Sequence, residues 1–178
     1  MKNVDVLFAG TLDSIVGPSQ TLKRIIRNHN FFLENGYDIT VFAADSFGTG
    51  QIPEPRQYTA PSGSKKVIKK FFRYLALHSY IYSLLRMFLF FYSPYKIVKK
   101  YYKENRHPDV VVFHSIEECF FFIKFFRKNE KIALFTHSDG KIYDMLIDYF
   151  PKLRNTWVHN KLLNIASYVM ERVDVKPC

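Results

Sequence analysis

Short apolar runs, each of strand length, alternate along the chain with segments in which apolar residues recur every three or four positions. The runs cover residues 4–9, 37–44, 109–113 and 131–136, and another begins at Val173. Runs of this kind predict strands, and the spacing between them predicts amphipathic helices. A strand, a helix and a strand in this order form a parallel pair with a right-handed crossover. The pattern therefore predicts an α/β fold, a Rossmann-like doubly wound parallel sheet.

The first predicted helix has recognisable signals at both ends. Ser19 is a residue type that commonly caps a helix N-terminus. Asn35 and Gly36 supply the glycine signal that often follows a C-terminus. Further helices are predicted over residues 117–127, 141–149 and 156–172.

One window of the chain accounts for its whole net charge. Between Pro61 and His107 there are eleven lysines and arginines and one acid, whereas the rest of the chain is balanced. The formal net charge is +10, and twelve of the aromatic residues lie in the same window. The spacing predicts a basic, aromatic helical insertion at about residues 64–106, in which Pro94 breaks the helix that begins near Tyr80.

The basic helices have two interpretations that the sequence leaves open. Basic amphipathic helices with aromatic residues are typical of proteins that bind an anionic membrane surface, where each cation contributes roughly 1 kcal/mol. Alternatively, their apolar faces pack on the sheet and their basic faces are simply solvated. The membrane interpretation assigns the contacts to eight cations: Lys65, Lys66, Lys69, Lys70, Arg73, Lys99, Lys100 and Lys103.

Several classes of site are not expected from the sequence. Cys119 and Cys178 are the two cysteines, far apart, so neither a disulfide framework nor a zinc site is predicted, and a reducing compartment is indicated. No phosphate-binding P-loop or nucleophile elbow is present. The longest stretch without a formal charge is residues 74–85, shorter than the roughly 20 residues of a spanning helix.

Ligands of open parallel sheets bind beyond the carboxyl ends of the strands. Three predicted loops occupy such positions, at residues 10–18, 114–117 and 137–140. Each precedes a helix, whose first backbone N–H groups bind phosphate or hydroxyl oxygens. His137 and His114 stand at these strand ends and are the histidines that the placement favours for a functional role.

Four motifs in order resemble the N-terminal domain of a GT-B glycosyltransferase. They are Val-Gly-Pro-Ser at 16–19, Asn-Gly-Tyr-Asp-Ile-Thr-Val-Phe at 35–42, Pro-Asp-Val-Val-Val-Phe-His-Ser at 108–115 and Leu-Phe-Thr-His-Ser-Asp-Gly at 134–140. The order and spacing are most similar to those of the retaining, nucleotide-sugar-dependent enzymes of glycosyltransferase family 4. The resemblance extends over nearly the whole chain.

The resemblance implies both an activity and the residues that perform it. A hexosyltransferase of this kind transfers a sugar from a nucleotide-sugar donor to a lipid-linked or saccharide acceptor in cell-surface glycan synthesis. His137 is then the catalytic histidine near the anomeric centre, and the backbone at Gly17 approaches the donor phosphate or the acceptor. In that family the first loop often carries two glycines, whereas here Val16 precedes Gly17. The other donor or acceptor contacts are expected from Pro18, His114, Ser115, Ser138 and Asp139.

The resemblance also implies partners and a location. Residues 1–178 are expected to be one acceptor-side domain, and most donor contacts belong to a C-terminal domain that these residues lack. This chain alone is therefore expected to be inactive. The basic helices dock on an anionic membrane, which places the protein in the cytoplasm, peripheral on the inner face of the plasma membrane. No metal and no cofactor besides the nucleotide-sugar co-substrate is expected.

Two other functions are compatible with the same residues. The first is a non-enzymatic basic module that binds nucleic acid or a membrane surface. Nucleic acid is not the expected partner, because the aromatic residues have helical spacing and no recognised RNA- or DNA-binding motif is present. The second is a small flavodoxin-like binding domain that is complete in itself.

Overall fold

Parallel strands in the order β2-β1-β3-β4 form the sheet. The computed structural model describes residues 1–14, 17–55, 63–135 and 144–175, with side chains except at 63–66 and 144–146. The sheet confirms the predicted α/β class and is compatible with a Rossmann-like fold. Val175 adds an isolated parallel bridge to Ala133. Within the described ranges the strands are β1 (Lys2–Phe8), β2 (Tyr37–Ala43), β3 (Val110–Phe113) and β4 (Lys131–Leu134).

Helices follow the strands as the sequence pattern predicts, with ends that differ by a few residues. The prediction for residues 141–149 falls partly outside the described part of the chain, which begins again at Asp144. A 3₁₀ turn over Pro151–Leu153 precedes the last helix. The described helices are α1 (Pro18–Arg27), α2 (His29–Glu34), α3 (Gly63–His78), α4 (Tyr80–Lys103), α5 (Ile116–Phe125), α6 (Asp144–Tyr149) and α7 (Trp157–Met170).

The first helical segment starts differently from the prediction. Ser19 is not the N-cap: α1 begins at Pro18 after Gly17, and the Ser19 hydroxyl donates to the carbonyl of Thr11. Proline suits the first position of a helix because the N–H at this position makes no hydrogen bond within the helix, so its absence costs nothing. The helix is also interrupted at Asn28, so two shorter helices replace the single one that was predicted.

Both faces of the central strand β1 are covered by helices. Val6 belongs to an apolar cluster that contains Leu22 of α1 and Val41 of β2. On the opposite face the carboxylate of Asp5 is buried and accepts a 2.7 Å hydrogen bond from the Tyr101 hydroxyl of α4. Apolar residues on alternate positions of this strand therefore pack on one side, and a polar contact anchors α4 on the other.

The basic window is broken at Ser79 and not at Pro94. The Ser79 hydroxyl accepts from the backbone N–H of Tyr82, and α3 and α4 are bent by 104° at this junction. The prediction that Pro94 ends a helix is wrong, since α4 continues through it. Pro94 is buried together with Ile97 and Val98, and this packing offsets the roughly 3 kcal/mol that an internal proline costs.

No single helix of the described chain is long and apolar enough to cross a membrane. The length and apolar character of a membrane-spanning segment are reached only by two helical stretches taken together, Val67–His78 and Tyr80–Lys103.

Internal packing divides the chain into two units. The first unit contains the sheet, and the second contains α3 and α6. Helices α4 and α7 contribute residues to both units. The first unit comprises Met1–Arg56, Ser93–His137 and Tyr168–Cys178, and the second comprises Gln57–Tyr92 and Ser138–Ser167.

Candidate functional site

The strand order creates one switch point, between β1 and β3. From β1 the chain continues to β2 on one side, and β3 pairs with β1 on the other side. The connections leaving β1 and β3 therefore diverge, and the carboxyl ends of these two strands are where open parallel sheets generally bind their ligands. Gly10 follows the first strand and His114 the second, so two of the three predicted loops begin at this point.

The loop after β1 ends in a backbone conformation that requires glycine. Gly17 has φ +57°, and among the described residues no atom lies within 4 Å of where a Cβ would stand. Pro18, the second predicted contact in this loop, is the first residue of α1. Further back, the backbone N–H groups of Leu12 and Asp13 donate to the carboxylate of Asp45, at 2.7 and 3.1 Å. The loop is therefore anchored to the residues after β2.

Ser115 is the N-cap of α5, directly after β3. Its hydroxyl accepts from the backbone N–H of Glu118 at 3.3 Å. The ring of His114 stands edge-on to Phe8 at 6.2 Å and is stacked near Phe135 at 6.3 Å, both measured between ring centroids. His114 therefore lies at the ends of the strands, as predicted, with an aromatic ring on either side.

Glu118 is a member of this site that the sequence interpretation missed. Its carboxylate is fully buried, and Oε1 accepts a hydrogen bond from the backbone N–H of Ala9 at the end of β1. Among the described residues Oε2 has no hydrogen-bond partner. Burial raises the pKa of Glu118 to about 8, although the amides of Ala9, His114 and Ser115 act in the opposite direction.

A local signal for Glu118 was present in the sequence. Ser115 and Glu118 have the spacing of a capping box, in which the acid accepts from the backbone N–H of the capping serine. In the structure the amide of Ser115 does act on the carboxylate, which in addition accepts a hydrogen bond from Ala9, across 109 positions of sequence. Glu118 is therefore an uncharged acid over most of the neutral range, and it fixes the start of the loop after β1 against α5.

Glu118→Gln is expected to stabilise the protein at neutral and higher pH. The native pKa is raised from 4.5 to about 8, so the stability that Glu118 contributes is fully present below pH 4.5 and is lost as the pH rises through 8. Glutamine keeps the acceptor for Ala9 without the cost of ionisation. The gain in free energy of unfolding should be about 4 kcal/mol near pH 8 and fall to about 1 kcal/mol or less at pH 5.

Urea denaturation across this pH range measures the effect, with Glu104→Gln as the matched control. Glu104 is exposed after the end of α4, so its replacement should leave the pH profile of the wild type unchanged. A constant difference between Glu118→Gln and wild type at every pH would show that the buried carboxyl does not titrate as described.

The second candidate surface is the basic aromatic face, formed by residues 67–74 of α3. Lys69, Lys70 and Arg73 are exposed, and so are the apolar residues between them. Val67 is 67% exposed and Phe71 is 56% exposed. The apolar side of this helix is thus open to solvent along with its basic side. Lys65 and Lys66 lie in the same helix, but their side chains are outside the described set.

The first half of α4 extends this exposed apolar surface. Ser83 and Met87 are buried, whereas Ile81 is 81% and Phe88 is 76% exposed. Soluble proteins rarely expose contiguous apolar patches of this kind without a partner. The pattern of residues 80–92 alone did not distinguish a buried helix from one with an exposed apolar side.

The second half of α4 has the opposite environment. Its apolar residues Val98 and Tyr101 are buried, and the Tyr101 ring lies 5.0 Å from that of Phe42 in β2. The predicted cations Lys99 and Lys103 are exposed on the outer side. Lys100 Nζ stands 3.8 Å from the ring centroid of Phe47. For this stretch the apolar face packs on the sheet and the basic face is solvated.

The loop predicted to hold the catalytic histidine falls outside the described residues. His137, Ser138 and Asp139 belong to the 136–143 gap, so their roles stay predictions. In the described ranges no group of three or more His, Cys, Asp or Glu side chains is placed to hold a metal ion.

No protein-family model, curated protein or solved structure matches the chain.

Proposed function

We propose that this chain is the acceptor-side, N-terminal domain of a GT-B glycosyltransferase that works at a membrane surface. It transfers a sugar from a nucleotide-sugar donor to a lipid-linked or saccharide acceptor in cell-surface glycan synthesis. A second α/β domain supplies most of the donor contacts in this proposal. The observation that carries it is that two loops at the switch point each lead into a helix. One loop ends with Gly17 at positive φ before α1, and the other ends with Ser115, the N-cap of α5.

The chemistry proposed for the switch point is stabilisation of charge on the leaving nucleotide diphosphate. Pro18 has no N–H and the N–H of Glu118 donates to Ser115, but the other backbone N–H groups in the first turns of α1 and α5 carry partial positive charge. Such donors act most strongly on charge that develops in the transition state. His137 is proposed to contact the transferred sugar beside the anomeric carbon. Glu118 does not contact the substrate in this scheme; it positions the end of β1.

The basic aromatic face is the proposed membrane contact. Three cations that the sequence singled out, Lys69, Lys70 and Arg73, are exposed beside the exposed apolar side chains Val67 and Phe71. Cations attract anionic head groups while apolar side chains enter the interface, which is the combination that an interfacial helix requires. Docking of this kind brings a water-soluble donor and a membrane-held acceptor to the same enzyme.

The activity is tested with the complete protein as encoded by its gene, in the presence of membrane lipid extract. UDP-, GDP- and dTDP-linked sugars are supplied in turn, and released nucleotide diphosphate and labelled sugar in the lipid or polysaccharide fraction are measured. His137→Ala is expected to lower turnover about 100-fold or more, the size found when one transition-state contact is lost. The melting temperature should stay near that of the wild type.

His107→Ala is the matched control, because His107 is exposed just before β3 and has no role in the proposed site. Its turnover should equal that of the wild type. Absence of transfer with every donor, from a folded protein, would contradict the proposal. Binding of random oligonucleotides that exceeds vesicle binding and falls steeply with salt would favour the nucleic-acid module instead.

A further inference from the structure

The second unit contains a groove that the proposed chemistry does not use. It lies between α3, the start of α4 and the end of α6, and its volume is about 860 Å³. Sites for small molecules typically enclose roughly 300–1,000 Å³ and are lined mostly by apolar side chains with a few polar groups. The groove has the size and the mixed lining of such a site.

Three cations that line the groove are not neutralised by any acid whose side chain the structure describes. Lys69, Arg73 and Arg86 have no hydrogen-bond or ion-pair partner among the described residues. The groove also contains Asp148, but its carboxylate is paired with Arg154. Guanidinium groups bind phosphate oxygens in pairs of parallel hydrogen bonds. This part of the lining therefore fits a phosphate group.

The remaining lining is apolar and largely aromatic. Phe72 and Tyr82 are stacked with ring centroids 6.0 Å apart, and they join α3 to α4 inside the groove. Leu77 extends the apolar wall along α3. On the other side Tyr149 and Phe150 follow each other at the end of α6, and Tyr149 is 67% exposed. Hydrocarbon on these side chains would remove apolar surface from water.

We propose that this groove binds a single lipid phosphate, with its phosphate on the three cations and its first hydrocarbon segment on the aromatic wall. An inorganic anion would leave the apolar wall in water, and an uncharged lipid would leave the three cations without a partner. Its identification as the lipid-linked acceptor rests on the proposed function, whereas the binding of a lipid phosphate does not. The groove shares Lys69 and Arg73 with the basic aromatic face, but it takes one lipid molecule instead of a membrane surface.

Binding is tested by calorimetric titration of the chain with decyl phosphate, kept below its critical micelle concentration. A saturable one-to-one complex is expected. Inorganic phosphate and decanol are expected to bind at least tenfold more weakly, because each satisfies only one part of the lining. Arg73→Gln/Arg86→Gln should weaken the complex about tenfold or more, since two of the three phosphate contacts are removed.

Two matched controls separate the groove from general charge and hydrophobicity. Arg24→Gln/Arg27→Gln removes two exposed arginines of α1 in the first unit and should leave the affinity within twofold. Leu77→Gln changes the groove wall and should weaken binding, whereas Ile81→Gln changes an exposed side chain outside the groove and should not.

Non-saturable uptake of many decyl phosphate molecules, equal binding of decanol, or no binding at all would each overturn the inference. So would equal losses in the two arginine double variants. Sugar transfer is not measured in this titration, so its result is independent of the enzyme assay. One-to-one binding without transfer activity would support the lipid-phosphate site and contradict only the proposed glycosyltransferase function.

Discussion

Changing Lys65, Lys66, Lys69 and Lys70 together to glutamate is expected to abolish sedimentation of the protein with anionic vesicles. Cations near an anionic surface contribute about 1 kcal/mol each, so removal of four weakens binding by about 4 kcal/mol, roughly a thousandfold, and reversal adds repulsion. The exposed side chains around Lys69 and Lys70 show that this stretch of α3 is open to solvent on its basic and apolar sides alike. Neutral vesicles should be affected little.

A smaller pair of variants makes the comparison at equal net charge. Lys69→Glu/Lys70→Glu and Arg24→Glu/Arg27→Glu each reverse two exposed cations on one helix, the first on α3 and the second on α1. The α3 pair should weaken co-sedimentation with phosphatidylglycerol vesicles at least about tenfold, and the α1 pair should change it by less than about twofold. Equal losses in the two would show that net charge alone attracts the protein, and that no docking face exists on α3.

Arg106→Met is expected to lower the free energy of unfolding by about 3 kcal/mol, because it leaves the buried carboxylate of Asp5 without its cation. Asp5 lies in the middle of β1, and Arg106 binds both of its oxygens, through Nε at 2.8 Å and Nη2 at 3.0 Å. The Arg106 side chain is 39% exposed and therefore partly screened by solvent. The expected loss of stability is accordingly at the lower end of the range of about 3–5 kcal/mol for breaking a buried ion pair.

Tyr101 shares this network and stays protonated in it. Burial first, and then its hydrogen bond to Asp5, raise the pKa of the Tyr101 hydroxyl well above its ordinary range. Removal of all three partners in Asp5→Leu/Tyr101→Phe/Arg106→Met eliminates the buried charge and should recover at least half of the lost stability. Urea denaturation measures the free energy of unfolding of both variants. The control is Arg24→Met, at an exposed position, whose free energy of unfolding should lie within about 0.5 kcal/mol of that of the wild type.

If Arg106→Met and the triple variant lose the same stability, the loss does not come from leaving the Asp5 carboxylate without its cation.

The strands were predictable from the sequence because each is a short segment of mostly apolar or alternating residues, bounded by residues that favour turns. Runs such as 110–113, buried in a parallel sheet, need no knowledge of their neighbours to be recognised. The glycine end of the first helical segment was equally local, and Gly36 has φ +84° as that signal requires. Parallel pairing followed from the strand, helix and strand order, since a parallel pair needs a long crossover.

Helix ends and interruptions were decided by contacts that local rules do not include. Ser19 is a residue type that commonly caps helices, but its hydroxyl donates to the carbonyl of Thr11 instead. Pro94 is a residue type that usually ends a helix, but α4 continues through it, and Pro94 is buried together with Ile97 and Val98. In each case the surrounding structure overrides the local preference of the residue.

The candidate site at the switch point was also predictable from the sequence only in part. The sequence indicated that Gly17, His114 and Ser115 follow strands, and the sheet confirms that these strands are neighbours. It gave a local capping signal for Glu118 but not the contact with β1, because the Ala9 amide that binds its carboxylate is brought there only by the pairing of β1 with β3. A buried acid is recognised by what surrounds it, and its surroundings come from distant parts of the chain.

The two basic helical stretches give the clearest example. Residues 67–75 and 97–102 have the same alternation of cations and paired apolar positions. In the structure Phe71 is exposed, whereas Val98 and Tyr101 are buried against the sheet. Periodicity determines which side chains share a face of a helix, because the helical repeat is a local property. What covers that face is decided only when the rest of the chain has folded around it.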